Sequence, residues 1–103
     1  MNEFPAFEQK RISDEELIQA LKTGVENLEV RQLLENWSKQ QERSGVDFVS
    51  SVEINLRRGR VYISAGYIEE GLDELEAAFD EAWYAHDENL ANKIRSEIDG
   101  LNL

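Results

Sequence analysis

The densest chemistry in this 103-residue sequence is acidic: from Glu69 through Glu88 stand nine carboxylates, with neither Lys nor Arg among them. Asp73, Asp80 and Asp87 recur every seven residues, which on a helix lays them along one outward stripe, with Glu69 and Glu76 on a neighbouring one. Such a row creates a negative field that steers a basic partner and speeds its association in a salt-sensitive way. Trp83 and Tyr84 fall in the same segment. Adjacent helical aromatics cannot both enter a core, so one of them is expected at the surface, where aromatics serve as binding anchors. Glu69, Asp73, Glu76, Asp80, Trp83, Tyr84 and Asp87 are therefore the candidate partner-binding residues.

The vocabulary for catalysis is thin. Cysteine is absent, which excludes disulfides, thiolate metal sites and cysteine nucleophiles. His86 is the only imidazole. Its neighbours Asp87 and Glu88 could give it a pH-sensitive contact, but no His-x-x-x-His spacing or calcium loop accompanies it. A structural or exposed histidine is expected. Paired carboxylates do acid–base work only in a cleft that separates their proton affinities, and acids on a helix face are wet. No Gly-rich phosphate loop follows a predicted strand, and Arg57-Arg58-Gly59-Arg60 is too short to define a substrate site. Those arginines are expected to pair with nearby acids, within the domain or in a second copy. The chain reads as a non-enzyme with no catalytic residue, no metal site and no cofactor.

Its length suits one domain. Eleven basic against 22 acidic residues leave a formal charge of −11, which argues against direct binding to nucleic acid or to an anionic membrane surface. The imbalance is local. Residues 1–67 hold 9 Lys or Arg and 11 Asp or Glu, a balance of −2, whereas residues 68–103 hold 2 and 11, a balance of −9. With 41% hydrophobic and 32% charged residues the composition is globular. No apolar run approaches the ~18 residues of a membrane helix. Met1-Asn2-Glu3-Phe4-Pro5 has neither the basic start nor the apolar core of a signal peptide. A cytoplasmic location is expected.

The elements that would position the acidic segment follow from periodicity. Residues 1–12 contain the only proline and no sustained period, and read as a tail or strap with Phe4 and Phe7 as anchors; residues 13–103 read as a single helical domain. Ser13-Asp14-Glu15-Glu16 fits a capping box that starts a helix, with Leu17, Ile18 and Leu21 as its stripe and Thr23-Gly24 as its stop. A second helix is expected from about Val25 or Asn27 to about Arg43, through Val30, Leu33, Leu34 and Trp37. Residues 46–66 are ambiguous. Val52, Ile54 and Leu56 alternate with polar residues, as do Val61 and Ile63, giving a β-hairpin around a turn at Arg57-Arg58-Gly59-Arg60. Yet Val49, Val52, Leu56, Gly59 and Ile63 recur at helical spacing, and a helix buried on two sides would also use Ile54 and Val61. After Gly66, a stripe of Ile68, Leu72, Leu75, Phe79, Ala82 or Trp83, and His86 predicts about five helical turns. Leu90, Ile94, Ile98 and Leu101 predict a last helix, capped by Asp87 or Asn89 and packed antiparallel on the one before it.

Residues 52–85 resemble one tetratricopeptide repeat, a helix-turn-helix unit of about 34 residues. Gly59, Tyr62, Gly66, Gly71, Leu75 and Ala78 fall at that motif's small, aromatic, turn, small, bulky and small positions. The resemblance implies that Gly59 and Gly71 mark a close approach of two helices, that Gly66 makes the turn, and that Tyr62, Leu75 and Ala78 fill the interface. Asn55 and Arg58 stand where the family prefers an aromatic and a leucine, and Trp83 where it ends the second helix with proline. No second copy is visible in residues 1–50, and solenoid grooves need about three stacked repeats.

The expected fold is all-α, a small bundle of four to five helices with one repeat-like hairpin. The alternative is α+β with a β-hairpin at about residues 51–64. The expected function is a non-catalytic protein–protein interaction module that meets a basic protein surface through its acidic helix. Two alternatives come from other classes: a small acidic inhibitor that mimics nucleic-acid charge, and a structural homodimer whose fold the second copy completes.

Overall fold

The computed structural model describes residues 11–44 and 47–101. Five helices occur among them, α1 Asp14–Leu21, α2 Leu28–Gln41, α3 Ser51–Ser64, α4 Ile68–Tyr84 and α5 Glu88–Asp99. The fold is a small all-α bundle. The strand pairing among the described residues is a two-residue antiparallel ladder between α2 and α3, joining Arg43–Ser44 to Asp47–Phe48. It is a pinch in the connection, too short to form a layer.

Four of the five helices start at a side-chain cap, and α4, which follows Tyr67, has none. Ser13 Oγ accepts from the Glu16 amide at 3.0 Å and Asn27 Oδ1 from the Glu29 amide at 2.8 Å. Ser50 Oγ accepts from Glu53 and Asp87 Oδ1 from Leu90. Each satisfies an amide that the first turn leaves without an intrahelical partner.

Two apolar clusters share α3. Leu17, Leu21, Val30, Trp37 and Val61 form one with Ile12; Leu56, Leu75, Ala78, Ala82, Ala91 and Ile94 form the other. Ile54 and Val61 lie on roughly the opposite side of α3 from Leu56 and Gly59, and all four are buried. Burial on both sides is what produced the alternating pattern, and the β-hairpin alternative at 51–64 is thereby corrected to one continuous helix. The first cluster is locked by directional bonds. The indole of fully buried Trp37 donates to Asp14 Oδ1 at 3.0 Å, and the Tyr67 hydroxyl donates to the Leu21 carbonyl at 2.6 Å. Ile12 is buried in the same cluster, and its amide donates to Gln40 Oε1 at 2.8 Å. Phe4 and Phe7, read as anchors of a strap, lie outside the described residues.

The seam between α3 and α4 is a backbone contact. A Cβ on Gly59 would stand 2.9 Å from the Gly71 carbonyl oxygen, and one on Gly71 would stand 2.8 Å from the Gly59 carbonyl oxygen. Only residues without a side chain allow that approach. It presses Leu75 and Ala78, both fully buried, into the interface. Further along the same buried side of α4, Ala82 clusters with Ala91 and Ile94 and joins α4 to α5. Helix α4 thus buries one side along its length, against α3 and then α5, and leaves the other side outward.

Candidate functional site

The outward side of α4 carries the candidate residues. At 3.6 residues per turn Glu69, Asp73, Glu76, Asp80, Trp83 and Tyr84 fall within a sector of about 100°, and all six are exposed. The sector runs about 22 Å along the axis, at 1.5 Å per residue. Gly71, Leu75, Ala78 and Ala82 occupy the opposite side and are buried.

Asp87 is the exception. Helix α4 ends at Tyr84, and Asp87 belongs to the next turn, where its carboxylate caps α5. The seven-residue stripe therefore stops at Asp80. His86, expected on the apolar stripe, is exposed, lies beyond the helix and holds a left-handed φ of 62°. Both aromatics reach the surface, where one was expected: Trp83 is 55% exposed and Tyr84 79%. The small side chain of Ala82 takes the buried position that Trp83 would have filled. Trp83 stacks instead on Phe79, with centroids 6.1 Å apart and planes 18° from parallel, and the Arg95 guanidinium sits 5.0 Å from the Phe79 centroid.

Arg57, Arg58 and Arg60 each find an acid, none of them on the outward sector. Arg57 pairs with Glu53 at 3.1 Å and also donates to Gln41. Arg60 makes a two-pronged contact with Glu97 at 2.8 and 2.9 Å, linking α3 to α5. That bond raises the Arg60 affinity for its proton and lowers that of Glu97. Arg58 reaches Glu74 at 3.6 Å, while its Nε is buried without a hydrogen-bond partner. Burial pushes the Glu74 carboxyl up, with Arg58 pulling it back and Asp73 adding to the rise. Glu81, on the α3 side, accepts from the Ser51 hydroxyl. Among the described residues Glu69, Asp73, Glu76 and Asp80 have no ion-pair or hydrogen-bond partner for their carboxylates.

Two concavities escaped sequence reasoning. A groove of about 840 Å³ runs along α1, α2 and α3, with Leu21, Val25, Leu34 and Tyr62 in its wall and Leu28 80% exposed beside them. Three cations, Arg31, Lys39 and Arg58, and three acids, Glu26, Glu35 and Glu42, line it, so the groove carries no net formal charge. A smaller notch of about 270 Å³ lies at the α4–α5 turn, lined by Trp83, Tyr84, His86 and Glu88. Neither is visible in periodicity, because each is made by residues that packing brings together. Among the described residues no helix is long and apolar enough to cross a membrane, and no group of three or more His, Asp or Glu is placed to hold a metal ion.

Comparison with protein-family models, with curated proteins and with solved structures returned no match.

Proposed function

We propose that this protein is a non-catalytic interaction module that docks a basic protein surface on the outward side of α4. The observation that carries the reading is the row Glu69, Asp73, Glu76 and Asp80, unpaired among the described residues, beside exposed Trp83 and Tyr84. The acids that find cations, Glu53, Glu74 and Glu97, lie off this sector. Like charges along one helix repel one another, and a basic partner relieves that repulsion while the aromatics supply apolar area. Under this reading α3 and α4 form a single unit resembling a tetratricopeptide repeat, used for the surface of its second helix. The protein acts where it can meet such a partner, which agrees with a cytoplasmic location.

The test is quantitative capture of binding proteins by the immobilised chain, comparing the native sequence with the double variant Asp73→Asn, Asp80→Asn. Partners retained by the native chain should be lost from the double variant and released by moderate salt, since the Debye length is about 8 Å at physiological ionic strength. Identical partner profiles for the two proteins would rule out the acidic face. Displacement of the partner by DNA or RNA would instead assign charge mimicry, and a dimeric mass in light scattering that persists without any partner would assign the homodimer.

A further inference from the structure

The acidic face ends at a turn whose charge is left uncompensated, and we propose that the notch there receives one arginine side chain from a basic segment of the partner. The inference rests on α4 being the docking surface and adds the group that the surface reads.

Size comes first. At about 270 Å³ the notch is smaller than the roughly 300–1,000 Å³ of clefts that enclose small molecules. It suits a single side chain offered from outside. Its walls come next. Trp83 and Tyr84 present more than half of their surface to solvent, and Trp83 is already positioned by its stack on Phe79. A ring held before binding loses less freedom when a ligand settles on it. The same aromatic row already carries one guanidinium, that of Arg95 on Phe79.

Charge selects the occupant. The final turn of α4 contains no basic residue, although the C-terminal carbonyls of a helix carry partial negative charge that Lys or Arg usually meets. Asp80 and Glu81 stand one turn back, and Asp87 and Glu88 follow. The positive end of α5, which would repel a cation, is masked where Asp87 accepts the Leu90 amide. Glu88 lines the notch, and among the described residues its carboxylate has no partner. A planar, weakly hydrated guanidinium stacks on indole and phenol and meets a carboxylate with two parallel bonds, whereas an ammonium does neither as well. Arginine is therefore favoured over lysine.

Anisotropy titrations with two short fluorescein-labelled peptides test this. Both have the same Ser-Gly background and number of cations, one carrying arginine throughout and the other lysine. The native chain should bind the arginine peptide about tenfold more tightly, a margin worth about one stacked, hydrogen-bonded cation. Glu88→Gln and, independently, Trp83→Leu should remove most of that margin. Asp73→Asn should weaken both peptides alike and leave the ratio intact. Glu88→Gln replaces an exposed acid with its isostere, so it keeps the test sound even if Trp83→Leu perturbs the helix. If both peptides bind equally and only Asp73→Asn weakens them, the acidic face stands and the arginine notch is wrong. If neither peptide binds the native chain, both are wrong.

Discussion

At its entry α4 is preceded by Gly66 at φ 98° and Tyr67 at φ −93°, ψ 78°; at its exit the chain passes through His86 at φ 62° and Asp87 at φ −94°, ψ 79°. The hydrogen bonds match as well. Gly66 and Tyr67 donate to Ile63 and Tyr62, while His86 and Asp87 donate to Trp83 and Ala82, each pair closing the preceding helix with nested bonds around a left-handed residue. The side chains differ. Tyr67 meets Tyr62 edge-on at 6.4 Å and sends its hydroxyl to the α1 carbonyl of Leu21, so the first turn is tied into the core. The second turn has a non-glycine residue in the left-handed position, Asp87 in place of tyrosine, and two exposed aromatics above it. One backbone solution is used twice. At one end its side chains consolidate packing, and at the other they are left to the surface, which is where a binding role can be accommodated with little loss of core.

The largest effect is expected from filling the seam next to the first turn. Gly71→Ala would set a Cβ 2.8 Å from the Gly59 carbonyl oxygen and against Ile63 Cγ1. Ile63 can adjust its side chain, but the Gly59 backbone cannot yield without moving α3. Overpacking of this kind typically costs about 1–3 kcal/mol, and the upper half of that range is expected because two helix backbones must separate. Urea unfolding followed by circular dichroism should show a lower midpoint at unchanged slope. A variant as stable as the native chain would mean that the two helices are not held at this distance.

The next largest effect comes from the first turn itself. Nothing lies within 4 Å of a Cβ placed on Gly66, so Gly66→Ala tests backbone conformation alone. With φ at 98° the substitution should cost about 1–2 kcal/mol, measured by the same unfolding curve. A loss below about 0.5 kcal/mol, the range of ordinary surface changes, would show that the turn can relax and that the match between the two turns is superficial.

Sequence periodicity exposed α4 because that helix is apolar on one side only: Leu75, Ala78 and Ala82 recur at helical spacing and the acids fill the rest. It blurred α3, where Val61 serves one cluster and Leu56 the other and Ile54 is buried on the side of Val61, so that a two-sided helix imitated alternating strands. The outward acids were legible because a charged residue opposite a buried stripe has nowhere else to go. Exposure of both Trp83 and Tyr84 was not, since it depends on small Ala82 packing against Ala91 and Ile94, an interhelical fact. Asp87 was legible as the cap of α5, and its place on the outward stripe fails because the left-handed break falls at His86, before it. The notch inherits that difficulty, for Glu88 approaches Trp83 only once the chain has reversed.

The smallest effect carries the opposite sign and addresses the second turn. His86 holds φ 62° without the freedom of glycine, and its side chain is exposed. His86→Gly relieves the clash between Cβ and the following carbonyl while making the unfolded chain more flexible, two terms that oppose each other. Relief of about 1–2 kcal/mol against about 0.4–1 kcal/mol of added chain entropy leaves a net gain between about 0 and 1.6 kcal/mol. The gain should appear as a higher urea midpoint, the reverse of Gly66→Ala at the matched position. Loss of stability on removing the imidazole would require a contact that favours histidine at this turn, and the two ends of α4 would then differ in how they are held as well as in what they present.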